Sequence, residues 1–299
     1  MTAPSTEAAA ARDYGRAAED AAGAVIARYS TSFGIATRLL GGPVRPRTRS
    51  VYALVRVADE IVDGAAAGSG VDRERVQEIL DAYEAGTEQA MREGFSTDLV
   101  LHAFADVARR CGITTELTRP FFASMRMDLT RTDHTPESFA QYVHGSAEVV
   151  GLMCLQVFLT DRAERPTVAP AHLVDGASRL GAGFQKVNFL RDLRADADGR
   201  GRHYFPGLDP AHLTDTQKDA LIDDIDADLA AGRAVIDELP RSSRRAVRAA
   251  HDLFAELSAR LRDTEASTLR TTRIRVPDSR KAVLLARSVV GAPRSGVSR

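Results

Sequence analysis

Apolar residues recur along this chain with a period close to 3.6 from about residue 12 to residue 290, while the period-2 alternation that marks strands is nearly absent. The pattern predicts an all-α protein. Breaks fall at Gly41-Gly42-Pro43, the small-residue stretch 64–70, Gly94, Pro120, Pro136, Pro166 with Pro170, the loop from Gly199 to Pro210, Pro240 and Pro277. They leave helices of about 12–28 residues. Two starts carry capping chemistry: Ser96 ahead of a periodic stretch, and Thr135-Pro136 followed by Glu137, a proline at the first helical position with an acid in the first turn. No composition shift marks a linker. A single helical domain over 16–290 is expected, with a flexible N-terminal stretch 1–15 and a flexible basic tail 291–299.

Two of these helices carry an unusual polar row. Tyr52, Arg56, Asp59 and Asp63 are spaced by 4, 3 and 4 residues, so at about 100° per residue they form one narrow stripe. Val51, Leu54, Val55, Val57, Ala58, Ile61 and Val62 cover most of the remaining surface. A helix apolar nearly all round is buried, and its polar stripe must then face an internal cavity. Gln185, Asn188, Asp192 and Asp196, spaced by 3, 4 and 4, repeat the arrangement among Phe184, Val187, Phe189, Leu190 and Leu193. Four carboxylates converging on one cavity repel unless hard cations lie between them, and oxygen-only ligation favours Mg²⁺, with Mn²⁺ as a substitute. Mg²⁺ takes one or two carboxylates and completes its shell with water and phosphate, so the implied ligand is a diphosphate.

The same spacing occurs at Asp215, Asp219 and Asp223, and again at Asp224 and Asp228. Beside them Leu221, Ile222, Ile225 and Leu229 form a single apolar stripe, which marks an amphipathic surface helix with its acids in solvent.

Composition narrows the classes further. A hydrophobic share of 44% is too high for a disordered chain, and a net charge of −1 argues against a nucleic-acid partner, which calls for a basic domain. Cys111 and Cys154 stand in no metal or redox spacing and read as free thiols of a reducing cytosol. The N-terminal segment carries acids and lacks a continuous apolar core, so a cytoplasmic location is expected. Val149 to Leu159 is shorter than the roughly 20 residues of a membrane span and reads as a core helix. Arg241, Arg244, Arg245 and Arg248 read as a solvated basic face, with anionic lipid headgroups as the alternative. No GxGxxG follows a strand, so no dinucleotide site is visible.

Three blocks carry a family resemblance: YSTSF at 29–33 with YALVRVADEIVDG at 52–64, YVHGSAEVVGLM at 142–153, and LGAGFQKVNFLRDLRAD with GRHYFP over 180–206. In this order they resemble the squalene/phytoene synthases, most of all the bacterial phytoene synthases of carotenoid pathways. The resemblance implies a single-domain isoprenoid-synthase helical bundle with a central cavity. It implies that Asp59, Asp63, Asn188, Asp192 and Asp196 bind Mg²⁺ and, with Tyr52 and Arg56, form the catalytic set. It places Ser30, Ser32 and Phe33 in a substrate-proximal segment and Tyr52, Arg56, His144, Gln185, Asn188 and Arg191 around the diphosphate pocket. Arg191 points about 120° away from the Gln185 row.

The implied activity is condensation of two geranylgeranyl diphosphates, through prephytoene diphosphate, to phytoene and two diphosphates, with no NADPH. Alternatives are a dehydrosqualene or squalene synthase using two farnesyl diphosphates, a single-substrate terpene cyclase, and a non-catalytic helical scaffold. Lipid substrates imply peripheral contact with the inner membrane face and with other carotenoid-pathway enzymes. The chain departs from the family at Ala195, where an acid is common and Asp198 stands nearby, at His144 in place of a tyrosine, and at Glu148 in place of a glycine.

Overall fold

Where the sequence supplies a side-chain acceptor before an apolar run, a helix starts, because the first backbone N–H groups have no partner within the helix. Asp72 accepts from the Arg75 N–H, Asp98 from those of Val100 and Leu101, and Thr135 and Thr214 form capping boxes with Ser138 and Gln217. The cap expected at Ser96 belongs to Asp98; the Ser96 hydroxyl instead accepts from the Asp98 N–H at 3.1 Å. The computed structural model describes residues 6–29, 32–161, 163 and 166–290, without the side chains of 32, 33, 35, 197–200, 289 and 290.

The helices are α1 (Thr6–Tyr29), α2 (Ser32–Thr37), α3 (Val44–Asp63), α4 (Ala65–Gly68), α5 (Arg73–Glu93), α6 (Leu99–Cys111), α7 (Thr115–Thr130), α8 (Pro136–Val143), α9 (Val149–Leu159), α10 (Ala171–Arg200), α11 (Asp215–Val235), α12 (Arg241–Arg262), α13 (Ala266–Leu269) and α14 (Asp278–Val290). No strand occurs among the described residues, as the periodicity predicts. Residues 6–15, expected to be loose, are the opening turns of α1; the tail 291–299 lies outside the described residues. Pro120 does not end a helix but sits inside α7. The α10 helix runs 30 residues and carries the whole second polar row on one rod.

A five-residue π-helix, His144–Glu148, joins α8 to α9, so Pro136–Leu159 is one helical rod of 24 residues. That rod is longer than the apolar run alone suggested and matches a membrane span in length and composition, yet half of its most apolar window is buried inside the fold. It packs on α7 and α10 as a core helix does. Its approach to α10 is close enough to exclude side chains: a Cβ on Gly181 would lie 2.6 Å from the Ala147 carbonyl oxygen, and one on Gly151 would lie 2.7 Å from that of Ala177.

Among the described residues two large apolar cores form, beside a small cluster of Ala18, Ala22, Ala53 and Ala103. One gathers Leu54, Leu80, Phe104, Phe121, Phe122 and Met153 from α3, α5, α6, α7 and α9. The other gathers Val187, Leu190, Ile222, Ile225 and Leu261 from α10, α11 and α12. Each fully buried Leu, Ile or Phe contributes roughly 1.5–3 kcal/mol relative to exposure. The bundle also encloses a space, which Tyr52 of α3 and Gln185 and Asn188 of α10 help to line.

Candidate active site

A cavity of about 300 Å³ lies between α3, α9, α10 and α12. Its wall is almost wholly apolar, with Ile26, Ala36, Val51, Val55, Val150, Leu155, Leu180 and Phe184 among the lining residues. Its polar lining residues are Thr37 on α2, Thr48 and Tyr52 on α3, Ser146 on the π-helix, and Gln185 and Asn188 on α10. Tyr52, Gln185 and Asn188 are the inner members of the two predicted rows. Asp59 and Asp63, and Asp192 and Asp196, continue those rows toward the C-terminal ends of α3 and α10.

Arginines meet these aspartates. Arg56 contacts Asp59 at 2.7 Å and Glu60, and its guanidinium lies over the Tyr29 ring, 4.6 Å from the centroid. Burial opposes the Arg56 charge, but Asp59 and Glu60 more than offset it and raise its pKa. Arg191 turns its guanidinium back onto the row: Nε donates to Asp192 at 3.0 Å. Arg273 contacts the same carboxylate at 2.6 Å. Burial pushes Asp192 upward, yet the two arginines hold it below the usual carboxylate range. Arg202 reaches Asp63 at 2.6 Å. Asp196 is buried, 7% exposed. Carboxylate repulsion, which the sequence alone assigned to cations, is thus already opposed by four arginines.

Among the described residues no three acidic, histidine or cysteine side chains gather around one point, so a closed all-protein cage is absent. Mg²⁺ does not require one, since it is usually held by one or two carboxylates together with water and phosphate. Asp59 with Asp63, and Asn188 with Asp192 and Asp196, offer oxygen donors alone, which fits that cation.

Residues 26–280 match the family described as squalene/phytoene synthase. The chain belongs to that family. A chloroplastic phytoene synthase 1 of Arabidopsis thaliana is 32% identical over 190 residues, 63% of this chain and 43% of the relative. A phytoene synthase of Arthrospira platensis is 31% identical over 210 residues, 68% and 65% of the two chains. The matched segments therefore span between about two fifths and two thirds of these relatives. A crystal structure of a dehydrosqualene synthase in complex with ligand superposes with a TM-score of 0.78 at 21% identity, over 93% of this chain and 97% of the other. The isoprenoid-synthase helical fold follows.

Within this family member, Ser30 lies outside the described residues, and Ser32 and Phe33 are described only as backbone of α2. The side chain of Asp198 likewise lies outside the description. His144 is half exposed, and its Nδ1 lies 2.9 Å from Glu148 Oε2 across one π-helical turn, so the two family departures are partners. Sequence reasoning missed Glu60, Asp128, Arg202, Tyr204 and Arg273. Arg202 and Tyr204 stood in the quoted GRHYFP segment, but no helical row pointed to them because that segment is a turn. Asp128 gave no signal, because it belongs to no spaced row of acids on α7.

On the other side of α10, the acidic run of α11 is mostly exposed as expected, with one correction. Asp228 has a side chain 1% exposed and lies 2.8 Å from both Lys186 Nζ and Arg179 Nε. It is an interior ion pair because α10 and α11 pack along their length at that point. In the basic row of α12, Arg244 donates to the Leu239 carbonyl and Arg248 pairs with Asp237, leaving Arg241 and Arg245 exposed.

Proposed function

We propose that this protein is a Mg²⁺-dependent head-to-head prenyltransferase that joins two geranylgeranyl diphosphates to phytoene. The observation that carries the proposal is the apolar cavity whose polar entries, Tyr52, Gln185 and Asn188, lead onto two aspartate pairs. An apolar chamber suits two isoprenoid tails, and a charged rim suits their diphosphates. Asp59, Asp63, Asn188, Asp192 and Asp196 are the residues that would hold Mg²⁺, which when bound supplies charge neutralisation to a departing diphosphate. Arg56, already poised between Asp59 and Glu60, adds a positive donor to the same leaving group. The wall formed by Phe184, Val51, Val55 and Leu155 would exclude water from the allylic cation, and Tyr52 is an aromatic lining residue suited to that charge. Attack by the double bond of the second prenyl chain on that cation, with loss of one proton, gives a cyclopropyl diphosphate that keeps the second diphosphate. Its ionisation, rearrangement and proton loss give the hydrocarbon, without reductant.

The twenty-carbon substrate is supported by the relatives named phytoene synthase and by small residues in the wall: Ala36, Thr37, Gly151, Gly176, Ala177 and Gly181. Two farnesyl diphosphates are the second reading, favoured by the dehydrosqualene synthase fold match. Purified protein with Mg²⁺ and geranylgeranyl diphosphate is expected to release phytoene with no NADPH; an active preparation yielding only thirty-carbon products overturns the chain length. Asp59→Asn and Asp192→Asn are each expected to lower turnover by about 10²-fold or more, and unchanged turnover in both overturns the metal role. Exposed Arg241 and Arg245 remain available for anionic headgroups, which agrees with peripheral membrane contact.

A further inference from the structure

The arginine that follows α10 is tied to both aspartate pairs at once. Gly201, with φ +63°, turns the chain in the left-handed region that a Cβ disfavours. The turn brings the Arg202 N–H to the Asp196 carbonyl oxygen at 3.0 Å. His203 then docks the turn on the end of α7: its N–H donates to the Thr132 carbonyl at 2.7 Å and its Nδ1 lies 3.0 Å from Asp133. The backbone of Arg202 is therefore anchored on the last aspartate of the second pair. Its guanidinium crosses to the last aspartate of the first, Asp63, at 2.6 Å.

Behind the guanidinium lies a buried socket. Nη2 donates to the Asp128 main-chain oxygen at 3.0 Å, and Nη1 lies 3.4 Å from the Asp128 carboxylate. That carboxylate accepts from the Tyr142 hydroxyl at 2.9 Å and the Tyr204 hydroxyl at 3.3 Å, and Tyr204 is stacked on Phe189 at 4.0 Å. The side chains of Arg202 and Asp128 are only 8% and 4% exposed.

We infer that Arg202 is a positioning residue, a strut between Asp63 and Asp196 that holds the two aspartate pairs in register, with Asp128, Tyr142 and Tyr204 as its socket. The inference rests on the metal-dependent reading above. Nη1 is shared among Asp63, the Tyr204 hydroxyl and the Asp128 carboxylate, so the strut orients Asp63 without being spent on it alone. A carboxylate has about four acceptor directions, and one contact with Arg202 does not exhaust them. Lysine cannot replace it, because a single ammonium does not present donors to Asp63 and to both oxygens of Asp128 in one plane.

The test is Mn²⁺ binding in the presence of inorganic pyrophosphate, read from the free-ion electron paramagnetic resonance signal, with circular dichroism to score folding. Arg202→Gln is expected to weaken Mn²⁺ binding about 10–100-fold, the usual cost of losing a group that orients a ligand. Arg202→Lys is expected to remain weakened, and Tyr204→Phe to lose less. Arg202→Gln/Asp128→Asn removes the guanidinium together with its buried carboxyl partner and serves if the single variant does not fold; the same loss of binding is expected. Adding Arg202→Gln to Asp63→Asn is expected to cost little more, since the strut then has nothing to orient. If Asp63→Asn and Asp192→Asn weaken Mn²⁺ binding but folded Arg202 variants bind as wild type, or if the Arg202 and Asp63 effects add in full, the strut is overturned. If neither aspartate variant changes binding, the metal reading itself has failed, and the strut with it.

Discussion

The same aspartate spacing occurs on two sides of α10 with opposite outcomes. On one side Asp192 and Asp196 belong to the row that borders the cavity with Asp59 and Asp63 of α3. On the other, Asp215, Asp219 and Asp223, and Asp224 and Asp228, of α11 follow the same i, i+4 rule, and none of them lines the cavity described above. The cations differ in kind as well. Asp224 and Asp228 share Lys186, and Asp223 and Asp226 share Arg262, across helix packing contacts that exist whether or not a ligand is present. Of the arginines that meet the two rows, Arg56 and Arg202 each contact two acids, while Arg191 and Arg273 both contact Asp192. Equal spacing thus has different surroundings: the rows of α3 and α10 include the cavity-lining Tyr52, Gln185 and Asn188, whereas no aspartate of α11 lines that cavity.

The largest effect that breaks the comparison is catalytic. Asp192→Asn is expected to lower turnover by about 10²-fold, whereas Asp223→Asn, whose partner Arg262 is itself over a third exposed, is expected to leave turnover within about 2-fold and to cost about 0–1 kcal/mol of stability. Product formation from a prenyl diphosphate with Mg²⁺ measures the first, and urea unfolding the second. Equal losses in the two variants would mean that the α11 row also serves the chemistry. The next effect runs the other way. Asp228→Ala leaves Lys186 and Arg179 without their buried carboxylate and is expected to cost about 3–5 kcal/mol in unfolding free energy, while turnover per folded molecule stays within about 2-fold. Lys186→Met in that background is expected to recover part of the loss.

Much of the fold was legible because helical periodicity, glycine and proline breaks and capping residues are local signals, and the cavity-lining positions Tyr52, Gln185 and Asn188 followed from rows on single helices. Asp228 was misread as solvated because its burial comes from α11 lying along α10, which no pattern within α11 reveals. Arg202, Asp128 and Arg273 were illegible for a related reason. Each meets its partner across a long sequence separation, Arg202 reaching Asp63 and Arg273 reaching Asp192. Arg191 shows the reach of a long side chain: a third of a turn off the row, it still contacts Asp192.

A pH titration sharpens the contrast between buried acids. Burial pushes Asp128 up to about 7 from its ordinary 3.8, against the opposing pull of Arg202. A carboxyl with a raised folded-state pKa binds its proton more tightly folded than unfolded, so its contribution to stability grows as pH falls from about 7 toward 4 and is lost as pH rises. Asp192 has the opposite sign: its lowered pKa gives stability that is present above the ordinary carboxylate range and lost as pH falls below it. Asp128→Asn is expected to remove the first slope, so wild type should gain thermal stability relative to the variant by a few degrees between pH 7 and pH 5, about 2–4 °C per kcal/mol for a chain somewhat smaller than this one. Parallel pH profiles of melting temperature would remove Asp128 as a proton-binding group.

The smallest effect concerns how Arg56 is held. Unlike Lys186, whose ammonium lies between two carboxylates, Arg56 has acids on one side and an aromatic face, Tyr29, on the other. Tyr29 is half exposed and ends α1 immediately before the segment resembling the family's substrate-proximal serines. A guanidinium stacked on a partly solvated ring gains about 0.5–1 kcal/mol, which corresponds to about 2–5-fold in binding. Tyr29→Leu keeps apolar bulk but removes the ring, and is expected to weaken inhibition by inorganic pyrophosphate by that factor; Tyr29→Phe keeps the face and is expected to match wild type. If Phe and Leu behave alike, Arg56 is oriented by Asp59 and Glu60 alone. The rim would then resemble the α11 cluster more closely than the Tyr29 contact suggests, with its arginine fixed by acids rather than by an aromatic face.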